Sequence, residues 1–499
     1  MELLAEREQG LSRGLTGRQL SMIALGGAIG TGLFLGSKFA IGFAGPSVLV
    51  SYGIGGVIAL LVMGALAEMT ASHSTTGSFG AFAEHYIGPL AGFMVKYLYW
   101  SCIVLAVGTE VTAVGEYMQH WFPAVPPLVW VLAFSALLLG VNMMNVKVFG
   151  TLEYWLSATK VFAIVAFIVV AASLVFGGSE SYGFHHYSSE GGFFSGGFTG
   201  VWFGVIVAIF SYLSIEMIAI AAGEAKDPGT AVKKAFKVTI VRLFLFYIAT
   251  LALILAIAPV SALLAGGSPF VTVMQVAGLP FADSLLNFVL IVAALSAMNS
   301  QLYISTRMMF SLSRGGHAPR VFGALRRNGA PVNALLLSAA GVAVAAIVYA
   351  ANPETGFTIM MALSMFGAMS TWMIIFVTHL FFRREHRRTG AALAYRLPFY
   401  PAGSLLGALL MLALLVTTLF TEEFRMTLIF GVPFAGLVVV AYFVMRRRSR
   451  GAGGPAGGPD VVASGAVPSA ATGVTAGASP EAAATAAPEG VSAESVRGG

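Results

Sequence analysis

Four glycines within seven positions, Gly26, Gly27, Gly30 and Gly32, interrupt an apolar stretch long enough to cross a bilayer. A backbone break inside a membrane frees amides and carbonyls that lipid cannot satisfy, so it persists only where it lines a polar cavity. The amides of Gly30, Thr31 and Gly32, at a half-helix N-terminus, can donate to a carboxylate, and the positive dipole end adds favourable charge. Glycine permits that approach because it has no Cβ. Carbonyls freed over residues 24–29, that of Ile29 among them, can accept from an ammonium. Half-helix ends at mid-membrane are one way secondary transporters hold a charged solute. The competing reading of these glycines is helix packing through small residues; their clustering favours the cradle.

A second stretch, 201–222, is interrupted differently: Ser211, Tyr212, Ser214 and Glu216 bring polar atoms into an apolar run that closes on Gly223. Its carbonyls over 210–213 are further acceptors. Phe210, Ser211, Tyr212 and Ser214 are candidates for side-chain selectivity, with Gln301 of a later span. Lone charges mark the same interior. Lys160 sits several residues inside an apolar span, where an ammonium is costly and must face a cavity, snorkel or pair with a carboxylate. Glu110 lies within Val107-Gly-Thr-Glu-Val-Thr-Ala113 and can select substrate charge, take part in proton movement or pair with a buried cation. Glu216 has two readings, gating or support of the break on one hand and a structural hydrogen bond on the other.

Positioning these groups takes an all-α polytopic membrane protein. The chain has 499 residues, 57% hydrophobic and 10% charged, against roughly 25% charged in soluble domains. Windows of about 20 apolar residues fall near 20–41, 47–68, 90–118, 128–148, 155–176, 199–222, 240–263, 284–310, 334–350, 358–381, 403–420 and 428–445. That is about twelve transmembrane helices. Basic residues sort between alternate connections: Arg13 and Arg18 precede the first span, and Lys226, Lys233, Lys234 and Lys237 follow the sixth. Arg314, Arg320, Arg326 and Arg327 follow the eighth, Arg383, Arg384, Arg387, Arg388 and Arg396 the tenth, and Arg446, Arg447, Arg448 and Arg450 the twelfth. The positive-inside rule then places both termini in the cytoplasm, as a multi-pass protein of the cytoplasmic membrane. The net charge of +6 reads as orientation and anionic-lipid contact, with no nucleic-acid partner. Residues 1–10 carry Glu2, Glu6 and Glu8 and no cleavable signal pattern. Cys102 is the only cysteine, which excludes an intramolecular disulfide or a cysteine metal cluster. Residues 451–499, rich in Gly, Ala, Pro, Ser and Thr, are expected to form a disordered cytoplasmic tail.

The interrupted segments are the first and the sixth, five spans apart, which is the sequence pointer to an inverted-repeat transporter. The expected organisation is an N-terminal segment 1–19, a first repeat 20–176, a second repeat 199–381, two extra helices within 403–445 and the tail. This is a five-plus-five inverted-repeat fold with broken helices 1 and 6. Gly26-Gly-Ala-Ile-Gly-Thr-Gly-Leu-Phe-Leu-Gly36 with Ala44-Gly-Pro46 resembles the first-helix signature of the amino acid transporter family in the amino acid–polyamine–organocation superfamily. Leu66-Ala-Glu-Met69 and Thr76-Gly-Ser-Phe79 resemble its second-helix region, and Asn145-Val-Lys-Val-Phe-Gly150 with Glu153-Tyr-Trp155 its entrance to the fifth. Ile215-Glu-Met217 with Ala221-Ala-Gly-Glu-Ala-Lys-Asp-Pro228 resembles its sixth. Asn299-Ser-Gln-Leu-Tyr303 with Ser305-Thr-Arg-Met-Met-Phe-Ser-Leu-Ser313 and Gly316-His-Ala-Pro319 resembles its eighth. The matches run in order from about residue 11 to 450.

The resemblance implies an amino acid permease in which the first-helix amides hold the carboxylate and freed carbonyls the ammonium. It also implies proton coupling: a fifth-helix lysine, here Lys160, stands where sodium sits in sodium-coupled relatives, with Ser296 its expected eighth-helix partner. Relatives carry an acid near Glu110 and at Glu216, and often an aromatic lid at Phe210. Ser214 departs from a glycine common in relatives, as Gly64 does from an arginine and Gly315 from an aspartate. The expected substrate is a small neutral L-amino acid of the alanine, serine or threonine type; γ-aminobutyrate, proline, an exchange mode and a non-transporting sensor remain alternatives. The expected partners are that solute and the lipid bilayer, with no obligate protein partner, no metal and no cofactor beyond a proton gradient. An ATP-driven pump lacks its phosphate loop, since Gly36-Ser-Lys38 has the wrong order, and no repeated filter loop suggests a channel. An intramembrane protease lacks a membrane-embedded histidine or paired aspartates, because Asp227 and Asp283 lie near span ends. An enzyme is therefore not expected.

Overall fold

The computed structural model describes residues 15–451 apart from 74, 76, 145, 178–180, 225–227, 280, 353–354 and 394. The expected tail, Arg13, Thr76, Asn145, Lys226 and Asp227 lie outside the described residues, as do the side chains of Lys233, Lys234 and Lys237. All regular structure among the described residues is helical. Nine helices there have the length and apolar character to cross a membrane, with Gly36–Ser72 taken as one run; Pro127–Asn142 and Leu243–Ile257 are shorter apolar helices.

Each of the twelve expected stretches finds a helix. Span 1 begins where Thr16 and Gln19 form a reciprocal cap, Thr16 Oγ1 accepting from the Gln19 amide and Gln19 Oε1 from the Thr16 amide. It runs as Gly17–Ala28, stops, and resumes as Thr31–Phe34 and Gly36–Ala44. Span 2 is Val48–Ser72, and the short helix Ser78–Tyr86 leads into span 3, Pro89–Met118. Span 4 is Pro127–Asn142 and span 5 Val146–Phe176. Span 6 is split into Gly197–Tyr212 and Met217–Ala221. Span 7 is Pro228–Ile257, ended by Pro259, and span 8 is Ala282–Arg314. Span 9 divides into Val332–Ser338 and Ala340–Ala351, span 10 is Gly356–Thr389, and spans 11 and 12 are Ala402–Thr417 and Met426–Gly451. The expected boundary between spans 4 and 5 was displaced: span 5 starts nine residues before the expected 155, at Val146, so Glu153 lies two turns inside it.

Span 3 is the central post, packed along spans 8 and 10 and crossed by span 9. The approach is closest at glycines. A Cβ on Gly341 would overlap the Val104 carbonyl, and one on Gly367 the Leu98 carbonyl. Lipid gives no hydrophobic drive between helices, so such close van der Waals contact holds the bundle together. Where the basic residues cluster, buried ion pairs close the bundle. Arg383 of span 10 binds Glu68 of span 2, and Glu68 also accepts from the Leu397 amide at 2.7 Å. Arg307 of span 8 meets Glu224 at 2.8 Å with its guanidinium 3.8 Å from the Tyr303 ring centroid, and Lys96 meets Glu84 at 3.0 Å. At the other end, helices Val260–Ala265 and Pro269–Val276 cover the second half of span 1: Ser268 donates to Phe34 O at 2.7 Å and Lys38 to Gly266 O at 2.6 Å.

Gly367→Ala is expected to destabilise the detergent-solubilised protein by about 1–3 kcal/mol, because a backbone carbonyl cannot yield as a side chain would. Gly140→Ala on span 4, with nothing within 4 Å of the added Cβ, is expected to be neutral or to gain about 0.5–1 kcal/mol. Thermal melts of the two variants measure the contrast.

Candidate functional site

The first break is a two-residue departure from helix. Ile29 has φ −86° and ψ 87°, and Gly30 is extended at φ −130° and ψ −157°. The second follows Tyr212: Leu213 has φ −57° and ψ 152°, and Ser214 takes φ 78°. That left-handed value costs a non-glycine residue roughly 1–3 kcal/mol. The break in span 6 thus survives a serine at the position where the family resemblance implies glycine.

Each glycine of the first break admits a different neighbour. A Cβ on Gly26 would collide with Glu153 and Ser157 of span 5, and one on Gly30 with Glu110 of span 3. A Cβ on Gly27 would lie 2.8 Å from Met217 Sδ and 3.2 Å from Ser214 Cβ; one on Gly32 would lie 2.9 Å from Ser211 Cα and 3.1 Å from the Phe210 ring. The glycines therefore pack closely against four neighbouring segments, the role that competes with the cradle in the sequence.

The freed backbone groups have partners, and these come from the protein. Lys160 donates to Gly26 O at 2.5 Å and to Ile29 O at 2.9 Å. Tyr247 Oη of span 7 lies 2.8 Å from Ala28 O and 2.7 Å from Ser211 O, bridging the two breaks. The Thr31 amide donates to Glu110 Oε2 at 3.2 Å and the Gly30 amide to Ala28 O at 3.2 Å. Amides and carbonyls that the sequence reading assigned to a solute are thus held by Glu110, Lys160 and Tyr247, because a buried polar backbone group must be paired.

Behind the first break lies a polar chain through four spans. Glu153 accepts from Ser157 at 2.9 Å, from Asn299 at 2.8 Å and, in a short contact, from Ser296. Ser157 Oγ also lies 2.9 Å from Met22 O, and Asn142 of span 4 donates to Asn299 Oδ1 at 2.8 Å. Ser296 was expected on Lys160. Its hydroxyl donates instead to Glu153, whose carboxylate can accept it as an ammonium cannot and which the longer span 5 brings inside.

The second break has its own support. Glu216 accepts from Tyr99 Oη at 2.7 Å, Trp372 Nε1 at 3.1 Å and the Ser214 amide at 3.1 Å. Ser211 Oγ lies 2.8 Å from Gly32 O and 2.8 Å from Tyr52 Oη, so it staples the two breaks. Tyr212 joins a tyrosine cluster, its ring centroid 4.8 Å from Tyr247 and its hydroxyl donating to Tyr52 O at 3.3 Å. Phe210 covers Gly32. Ser214 Oγ, Ser300 Oγ and Gln301 Oε1 are buried without a hydrogen-bond partner among the described residues.

Tyr52, Glu153, Tyr247 and Asn299 were not singled out as site residues. Glu153, Ser157 and Lys160 fall at i, i+4 and i+7 on one helix face, and that pattern was the available signal. Tyr52 and Tyr247 carry none, since a tyrosine in an apolar span reads as packing.

Two broken helices facing each other across a buried polar network define a multi-pass membrane transporter. The amino acid permease family profile matches residues 19–451, and the chain belongs to the amino acid permease family. The aromatic amino acid transport protein AroP of Escherichia coli O6:H1 is 39% identical over 413 residues, 82% of this chain and 91% of that protein. The uncharacterized amino acid permease YtnA of Bacillus subtilis is 36% identical over 445 residues, 88% and 96% of the two chains. The probable threonine/serine transporter YbxG of Bacillus subtilis is 36% identical over 441 residues, 87% and 95% of the two chains.

Tyr247→Phe leaves the Ala28 and Ser211 carbonyls without their shared donor, at a cost of about 1–3 kcal/mol. The expected outcome is a lowered melting temperature together with reduced amino acid uptake, read on the same purified sample.

Proposed function

We propose that this permease imports a small neutral L-amino acid of the serine, threonine or alanine type by proton symport, across the cytoplasmic membrane with both termini inside. The observation that carries the substrate reading is Ser214. Its Cβ faces Gly27, in the last helical turn before the first break, and its hydroxyl is buried with no hydrogen-bond partner among the described residues. A substrate hydroxyl relieves that orphaned group, whereas an aromatic hydrocarbon ring leaves it so. YbxG, by its name, handles solutes of the first kind and AroP of the second, so an aromatic substrate is the rival outcome.

The coupling groups are Glu110 and Lys160. An incoming carboxylate competes with Glu110 for the Thr31 amide. Glu110, once displaced, accepts one proton and becomes neutral, so net charge near the amide is unchanged. Loss of substrate and proton to the cytoplasm returns the carboxylate to the amide. Lys160 ties the shape of the first break to its own charge, because only its protonated form holds both carbonyls with full strength. The family resemblance puts this lysine where sodium sits in sodium-coupled relatives, which supports a proton rather than sodium as the driving ion. Ser296 acts through Glu153, and Glu216 holds the second break.

The test is uptake in proteoliposomes with an imposed pH gradient and a panel of competing amino acids. Serine, threonine and alanine are expected to compete, accumulation to follow the gradient, and Glu110→Gln to lose the gradient dependence while keeping exchange. Competition by aromatic amino acids alone, or uptake indifferent to the gradient, overturns the reading; saturable binding without uptake identifies a sensor. Ser214→Gly is expected to raise thermal stability by about 1 kcal/mol through relief of the left-handed serine, yet to lose the preference for hydroxyl amino acids over alanine. Competition curves on wild type and variant measure it.

A further inference from the structure

Arg384 and Arg388, one turn apart on span 10, line a cavity of about 390 Å³ with Phe381 and Glu385 of the same helix and His85 and Tyr86 at the end of Ser78–Tyr86. The other arginines of this turn are engaged elsewhere: Arg383 binds Glu68, and Arg387 lies 4.9 Å from the Tyr400 ring centroid. Arg384 and Arg388 form no hydrogen bond or ion pair among the described residues, and both are exposed. Below them Phe381 is 41% exposed, and the Tyr86 ring stands edge-on to Phe382 at 5.3 Å. The two guanidiniums thus stand one and two turns along the helix from the exposed Phe381 ring, with Tyr86 beside them, at the end of a membrane-spanning helix.

We propose that this cavity binds the phosphodiester headgroup of an anionic membrane phospholipid, with an acyl chain lying along Phe381. The guanidinium fork matches phosphate oxygens bidentately, and tyrosine prefers the headgroup level of a bilayer. Burial lowers the pKa of His85, with Glu385 and Glu84 pulling the other way, so its ring is a neutral donor near pH 7. Two guanidiniums against the single carboxylate of Glu385 leave one net positive charge, which a monoanionic phosphodiester neutralises and a phosphate dianion exceeds. An exposed apolar ring on the bilayer side of the charges fits a lipid and has no use for a free anion. The site touches neither break directly. The helix that carries His85 and Tyr86 also carries Phe79, whose ring meets that of Tyr99 edge-on at 4.7 Å, and Tyr99 holds Glu216. A lipid here therefore braces a helix that supports the second break, whichever amino acid the permease carries.

The experiment is thermal stability of the purified full-length protein in detergent with added phosphatidylglycerol, phosphatidylcholine, inorganic phosphate or soluble glycerol phosphate, with native mass spectrometry counting retained lipid. Wild type is expected to gain several degrees from phosphatidylglycerol alone and to retain one such lipid. Arg384→Gln/Arg388→Gln is expected to lose the shift and to weaken retention at least fivefold, while Arg387→Gln, outside the cavity, keeps both. Phe381→Gln, with both guanidiniums intact, is expected to weaken the phosphatidylglycerol shift as well. An equal shift from inorganic phosphate or glycerol phosphate makes this a free-anion site and overturns the lipid assignment. A double variant that responds like wild type, or a wild type that responds equally to phosphatidylcholine, overturns the site.

Discussion

Everything about this bundle turns on the partners of backbone groups freed in the middle of a membrane. A carbonyl or amide without a partner at that depth costs several kcal/mol, and the two breaks free a handful of them at once. Lys160 takes two carbonyls of span 1, Tyr247 takes one from each break, Glu110 takes the Thr31 amide and Glu216 the Ser214 amide. Four side chains from spans 3, 5, 6 and 7 thereby make an irregular backbone tolerable. Each of them is buried, and all but Tyr247 are of types that ordinarily carry a charge at neutral pH.

The same economy of partners supplies the logic of transport. A site whose amides and carbonyls were satisfied permanently could not bind a solute, and one whose groups were all orphaned could not fold. Here the internal ligands have the chemistry of the solute: a carboxylate on an amide, an ammonium on carbonyls. On the proposed mechanism, solute and protein compete for the same backbone groups, so that binding exchanges one set of hydrogen bonds for another at little net cost in unpaired groups. Glu153 holds its own position through Ser157, Ser296 and Asn299, and so links spans 1, 4, 5 and 8 behind the exchange. At the basic end, the pairs Glu68–Arg383 and Glu224–Arg307 hold spans 2, 8 and 10 in register with the broken helices.

Much of this was legible in the order of residues. The helical spans follow from apolar length alone, and the first break follows from four clustered glycines. Lys160, Glu110 and Glu216 stand out because a charge in an apolar span is expensive and so must have a task. What escaped was partnership. Glu153 was hidden because the fifth span was expected to start at 155, which leaves that acid outside the bilayer; the helix starts at Val146 and carries it in. Ser296, which the resemblance pairs with Lys160, has Glu153 as its neighbour. Tyr247 was hidden because a lone tyrosine has no pattern, and only the fold reveals that its hydroxyl lies between two breaks more than 180 residues apart in sequence. Ser214 shows the converse: the residue type argued against a break, and the bundle imposes the strained backbone anyway.

The central claim is that an amino acid displaces internal ligands at facing backbone breaks. It is tested most directly by a cryo-EM structure of the permease in a lipid nanodisc with bound serine or threonine. The account predicts the solute between spans 1 and 6, its carboxylate on the Thr31 amide and Glu110 withdrawn from it, with both breaks intact. A structure in which Glu110 keeps the Thr31 amide while the amino acid binds elsewhere, or in which residues 28–31 and 212–217 are continuous helix, would contradict it.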